Sequence, residues 1–409
     1  MKQWFVVFTA LSLLLLIISP ACGGGEEVST TAPTPTATTT TTLTLTLSPT
    51  PTPTPIPSNG PVKIGAIAPW SGPMAMTGML ADPIISLVEK QVKDMGGILG
   101  GREVKVIKYD SRGSVAEAVA GATKLLKEDK VAALVFGGAS GADMEAVCAF
   151  AEDSHILYIP YGGVENMAEK KYTVTGTHTY DGYSKAIIDL AEKVIKPKTV
   201  AFLASDLWDS RYIIGLCKDR IKSTSFDVVY EQYSPIDTAD FTPYLTKIKY
   251  TNPDLLITYY QPSEPYLAMA KQIMELDGWG NIKVIAAGGA ESSVKLPGAQ
   301  GWYVFVLWFP GLPYPGSIKF EQDYEALYGK VPTAVSMYYY NPLWTAIHAI
   351  NLAGTDTDLE KIAQVTRSGD FEWETPLGRA HYTPDGDSGL HPSAAYVKDK
   401  ILVPVTELQ

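Results

Sequence analysis

VKIGAI at 62–67, IISLVEKQVKDM at 84–95, VKVIKY at 104–109 and VAALVF at 131–136 decide the fold. The first, third and fourth are apolar runs of strand length. In the second, Ile85, Val88, Val92 and Met95 recur at helical spacing. Asp82-Pro83 predicts the start of this helix, with Asp as N-cap and Pro at the first helical position, and Gly96-Gly97 predicts its end. Ser114-Val115-Ala116-Glu117 predicts a capping box opening a second helix, with Val115, Ala118, Val119, Ala122 and Leu126 on one face. A third helix is expected from about Ala142, and a strand at 156–159.

The alternation continues downstream. Strands are expected at 199–203, 227–230, 255–260, 284–287 and 302–306, with helices at 210–222, 241–249, 264–276, 317–328 and 337–353. Strands separated by helices imply right-handed crossovers and parallel sheets. Two such sets give an α/β chain of two doubly wound domains, in which ligands bind outside the carboxyl ends of the strands.

The amino terminus reads differently. Lys2 precedes an apolar run, Trp4 to Ile18, and Ser19-Pro20-Ala21-Cys22 supplies small residues for cleavage. Residues 1–22 are therefore expected to be a lipoprotein signal, with Cys22 the lipidated residue. Residues 23–60 form a Gly- and then Thr/Pro-rich tether with little apolar surface to bury. At roughly 3 Å per residue it reaches on the order of 100 Å. The chain is acidic, with 33 Lys and Arg against 44 Asp and Glu, and has no basic stripe, which argues against nucleic acid. Cys148 and Cys217 sit in apolar helical contexts and are expected as buried free thiols.

Several stretches resemble the leucine/isoleucine/valine-binding protein family of ABC transporters. Gly65-Ala66-Ile67-Ala68-Pro69-Trp70-Ser71-Gly72-Pro73 is similar to its opening strand and Ser-Gly-Pro loop. Met95 to Gly101 with Asp110 matches its Gly-Gly-Ile and strand-Asp pattern, and Lys130 to Gly141 its third strand and Ser-Gly turn. Asp240 to Leu245 with Asn252-Pro253-Asp254 matches a helix and strand of its second domain. The resemblance implies two Rossmann-like doubly wound lobes joined by a three-crossover hinge. Lobe 1 is expected at 61–180 plus 306–370, and lobe 2 at 181–305 plus 371–409.

The resemblance also implies a ligand site. Ser140 and Gly141 follow the third strand and open a helix, where the Ser hydroxyl and backbone N–H groups would hold a ligand carboxylate. Ser140 could equally be an N-cap, with Asp143 three residues on. Tyr161, Gly162 and Gly163 follow the fourth strand, where the family often carries Ser, Ala or Thr. The Thr hydroxyl that touches an amino acid is missing here, which widens the expected ligands to small aromatic or amide compounds. Trp208 aligns with a lobe 2 aromatic and Trp70 lies in the first loop; each is either a cleft wall or edge packing. Glu291 lies near the family's partner for a ligand ammonium. Tyr259 and Tyr260 end a strand and face opposite sides, so one of them faces the cleft; Tyr260 is a candidate ligand-binding residue.

No enzyme motif is present. His155, His178, His348, His381 and His391 have no metal-ligand spacing, and no nucleophile elbow, phosphate loop or dinucleotide fingerprint stands in its proper setting. The expectation is an extracytoplasmic, lipid-anchored binding protein that serves ABC permease subunits, without cofactor, metal or catalytic residues. A ligand sensor of the same fold is the alternative.

Overall fold

β1 (Val62–Ala68) is buried along nearly its whole length, as a strand covered on both faces must be. The computed structural model describes residues 60–138, 140–261 and 264–405; Cys22, the signal segment and the Thr/Pro tract lie outside them. β1 pairs in parallel with β2 (Val104–Asp110) and β3 (Ala133–Phe136), and β4 (Tyr158–Pro160) completes a sheet of order β2-β1-β3-β4. The crossovers are α1 (Ala75–Asp94), α2 (Val115–Lys124) and α3 (Gly141–Ser154).

The start of α1 and the cap of α2 differ from expectation. α1 begins seven residues before Asp82, with Pro83 inside it. Gly78 permits this: a Cβ there would fall 2.3 Å from the Pro69 carbonyl oxygen, so only glycine lets this turn lie on the preceding loop. Ser114 is the N-cap of α2 but makes no side-chain cap bond, and the Glu117 carboxylate accepts from the Tyr109 hydroxyl at 3.1 Å.

α4 (Tyr180–Leu190) leads into a second sheet. Here β5 (Thr199–Ser205), β6 (Asp227–Ser234), β7 (Leu255–Tyr259), β8 (Lys283–Ala287) and β9 (Tyr303–Val306) run parallel, in the order β6-β5-β7-β8-β9. α5 (Trp208–Ile221), α6 (Thr242–Thr251) and α7 (Glu264–Glu275) connect them. The chain then passes through α8 (Pro315–Tyr328), α9 (Met337–Ala353) and α10 (Leu359–Val365), and the hairpin β10 (Glu372–Thr375)–β11 (Gly378–His381). It ends in β12 (Ser393–Lys398) and β13 (Ile401–Pro404), which extend the second sheet antiparallel beyond β9. The sheet is therefore mixed at this edge rather than wholly parallel.

The architecture is α/β with two Rossmann-like lobes and a hinge. The segment at residues 175–179 is tied to that at 382–387 by hydrogen bonds, and Thr175, Thr179 and Tyr382 are buried. The Thr175 N–H donates to the Gly386 carbonyl at 3.0 Å, and the Tyr382 hydroxyl donates to the Thr175 carbonyl at 2.9 Å. Thr179 Oγ1 donates to Asp387 at 3.1 Å. The hairpin β10–β11 packs on α8, and Trp373 stacks near His348 of α9 at 5.0 Å. α9 is apolar around most of its circumference because it is enclosed; Leu343, Ala346, Ile347 and Ile350 are buried against α1, β3 and β4.

Candidate functional site

β3 ends under strain. Phe136 is buried with φ 78, a region that bulky residues rarely adopt, at a typical cost of about 1–3 kcal/mol. Its carbonyl accepts from the Tyr158 hydroxyl at 3.0 Å and from the Tyr161 N–H at 3.2 Å, so its surroundings hold it there. Gly137 follows with φ +104, where a Cβ would fall 1.9 Å from the Tyr158 hydroxyl. This turn delivers Ser140 to the head of α3.

Ser140 and Asp143 form a reciprocal capping box. Ser140 Oγ accepts from the Asp143 N–H at 3.3 Å, and the Asp143 carboxylate accepts from the Ser140 N–H at 3.2 Å. The cap is therefore observed, and the bond through Oγ is long. The Ser140 hydroxyl keeps its proton to donate, and Gly141 N–H stands in the first turn, where helix amides have no intrahelical partner. A methyl at Gly141 would lie 3.1 Å from the Trp208 ring, so the head of α3 in lobe 1 meets the head of α5 in lobe 2 across the cleft. Trp208 stacks on Tyr212 at 5.4 Å and meets the edge of Tyr180 at 6.0 Å, leaving 41% of its surface exposed.

Gly162 and Gly163 are buried and closely packed. Added methyls would meet Met144 at 3.2 Å and the Tyr180 ring at 3.0 Å. Gly163 thus admits an aromatic side chain to the cleft. Tyr161 lies against Tyr338 and Tyr339, with ring centroids 6.0 and 6.5 Å away.

Two expected positions fall elsewhere. Trp70 packs at the sheet edge: its indole N–H donates to Asp82 at 2.7 Å, and Lys108 sits 5.1 Å above the ring. Asp110 anchors the same loop, accepting from the N–H groups of Trp70 and Ser71 and from the Ser71 hydroxyl. Tyr260 is fully buried on the other face of its sheet. Its hydroxyl lies 2.8 Å from Ser234 Oγ and its ring packs on Phe241 and Tyr266. Tyr259 takes the cleft side, 5.8 Å from Tyr183, because successive strand residues point to opposite faces.

The missed residues are the other tyrosines. Tyr180 and Tyr183 come from α4 and Tyr338 from α9; His178 lies between Tyr183 and Tyr338, at 5.0 and 6.4 Å. Burial, then His391 nearby, pushes the His178 base down to about 3, so it is neutral at physiological pH. The Tyr338-Tyr339-Tyr340 run was the available signal. Burial raises the carboxyl groups of Asp209 at the head of α5 and of Glu291, beyond β8. Among the described residues no three metal-ligating side chains cluster, and no helix is long and apolar enough to cross a membrane.

The arrangement offers amide and hydroxyl donors at the head of α3, beside a group of tyrosine rings, and Asp209 stands next to Trp208 at the head of α5. It is equipped to enclose a small polar molecule. A family model described as periplasmic binding protein matches residues 61–397. The chain is similar to the Leu/Ile/Val-binding protein homolog 7 of Brucella abortus, 23% identical over 322 residues that span 72% of this chain and 78% of that one. It superposes on the leucine-binding protein LivK of Thermotoga maritima with TM-score 0.72 at 20% identity, covering 84% of this chain and 97% of that one. A solute-binding protein of an ABC transporter from Rhodopseudomonas palustris, solved with 3,4-dihydroxybenzoic acid, superposes with TM-score 0.69 at 23% identity, covering 84% and 95%. The chain belongs to the periplasmic binding protein family.

Proposed function

We propose that the protein is the extracytoplasmic binding component of an ABC importer, capturing a small carboxylate-bearing ligand by closure of two lobes. The observation that carries this reading is the meeting of Gly141 and Trp208 across the cleft, beside the capped head of α3. A ligand carboxylate there would accept from the Ser140 hydroxyl and the first free amides of the helix, in the favourable field of its N-terminus. The tyrosine walls suit an apolar side chain or a ring. The solved relative holding 3,4-dihydroxybenzoic acid supports the acid group, and LivK, named as a leucine-binding protein, supports an amino acid.

The family implies an extracytoplasmic location. Cys22 supports anchorage by a lipid, with residues 23–60 as the tether. Native mass spectrometry of protein taken gently through purification tests the capture reading: a stoichiometric small acid is expected. Small-angle scattering should then show a smaller radius of gyration when that compound saturates the protein. An unchanged radius at saturation refutes closure. Cys22→Ser should release the protein from membranes, and an unmodified Cys22 in the natural protein refutes anchorage.

A further inference from the structure

A cavity of about 440 Å³ opens beside α10, and its walls share no residue with the cleft described above. Three cations line it: Lys170 and Lys171 from the loop before Tyr172, and Arg367 just beyond α10. None of the three makes an ion pair among the described residues. Arg367 directs its guanidinium at backbone. Nη1 donates to the Pro384 carbonyl at 2.7 Å, and Nη2 to the carbonyls of Thr173 at 2.6 Å and Met167 at 3.2 Å. Its Nε is buried with no partner, and so is Oγ1 of Thr383, the residue before Pro384. Gly386 lies over the guanidinium, where a Cβ would fall 2.4 Å from Nη2. Of the acids on the walls, Glu360 already accepts from the Tyr172 hydroxyl at 2.7 Å and the Gln364 amide at 2.9 Å, and Glu169 is exposed. A buried guanidinium with a free donor and no counter-charge is costly, and a molecule relieves it only by bringing acceptors and negative charge.

We propose that this cavity is a second binding site, for a small multivalent oxyanion, and that an anion held there stiffens the hinge. Lys170 and Lys171 supply charge and mobile donors, and Arg367 supplies a fixed planar one. The hinge effect follows from what Arg367 holds. Its bonds reach Thr173, two residues before Thr175, and Pro384, between Tyr382 and Gly386. These are the ends of the two segments joined by the bond from the Thr175 N–H to the Gly386 carbonyl. An anion that favours this setting of the guanidinium therefore favours this setting of both segments. The site is independent of what the cleft captures, and neither reading needs the other.

The test is calorimetry with citrate and with pyrophosphate, against acetate as the monovalent control, at one low ionic strength. Citrate or pyrophosphate should bind one-to-one and at least ten-fold tighter than acetate, and which of them binds tells carboxylate from phosphate chemistry. The double variant Lys170→Gln, Lys171→Gln should weaken that anion ten-fold or more, whereas Ser140→Ala, at the head of α3, should leave its binding unchanged. Neither lysine bonds through its side chain in the folded protein, so the double variant should fold, which a thermal melt checks. At saturation the anion should slow hydrogen exchange at the Thr175 amide at least three-fold in wild type and leave it unchanged in Arg367→Lys, whose single ammonium cannot reproduce the three carbonyl bonds. Binding of neither anion, a loss that follows Ser140→Ala instead of the lysines, or unchanged Thr175 exchange in saturated wild type would overturn the proposal.

Discussion

Gly141→Ala places one methyl in the contact between the lobes. Its Cβ would sit 3.1 Å from the Trp208 ring, a few tenths of an ångström too close. Adding atoms to a well-packed site costs about 1–3 kcal/mol. Trp208 is 41% exposed and can yield, so the low end applies, about 1 kcal/mol. That cost falls on the closed form alone. Because ligand binding draws on the closed form, affinity should drop about five-fold. Gly141→Leu adds three further carbon atoms toward Trp208 and Tyr180 and should approach about 3 kcal/mol, a loss of about a hundred-fold or more. The ligand-free protein should be no less stable in urea with the Ala variant, since Gly141 is helical and alanine favours a helix. The decisive assay is a double-mutant cycle by calorimetry with the ligand recovered from purified protein. In a Trp208→Ala background the Gly141→Ala penalty should nearly vanish. An equal penalty in both backgrounds, or none in either, refutes the meeting of α3 and α5 in the ligand-bound state.

Ser140→Ala should cost about 1 kcal/mol in a denaturant melt for the lost cap and roughly ten-fold in affinity for the lost hydroxyl donor; lost stability with unchanged affinity would leave Ser140 as a cap only. His178 is held down to about 3 and His348 to about 4, from an ordinary 6.5, in both cases chiefly by burial. The unfolded chain therefore takes up these protons first, so stability is full above about pH 6.5 and falls as pH drops toward 4 and then 3, by up to about 1.4 kcal/mol per pH unit for each base. His178→Gln should flatten that slope by about one proton, and an unchanged slope in urea melts at several pH values would count against a neutral buried base. Burial pushes the Cys148 thiol up to about 11 and the Cys217 thiol to about 12, so native protein at pH 8 should resist iodoacetamide while urea-unfolded protein takes it up at both. Intact mass checks this, and rapid native labelling of either would show that thiol to be reachable.

The sequence by itself determined what depends on near neighbours. Apolar runs of strand length and apolar residues at helical spacing are local patterns, so the alternation of elements, the α/β class and the head of α3 were readable from the residues. α9 was placed at its observed limits, Met337–Ala353. The resemblance added the two lobes and the approximate position of the cleft. Tertiary structure alone decided which local signals prevailed. Pro83 lies inside α1 because Gly78 lets an earlier turn pack on Pro69, and Glu117 serves Tyr109 rather than a capping box. It also decided that Tyr259 rather than Tyr260 faces the cleft, and that Trp70 belongs to the sheet edge. The tyrosine cluster shows the physical reason most clearly. Tyr161, Tyr180, Tyr259 and Tyr338 come from separate elements between residues 161 and 338, and only Tyr161 and the tyrosine run at 338–340 stood out in the sequence. They meet because two sheets bury their apolar faces and the hinge strands fix where the loops converge, and long-range burial of this kind leaves no short-range periodicity to read.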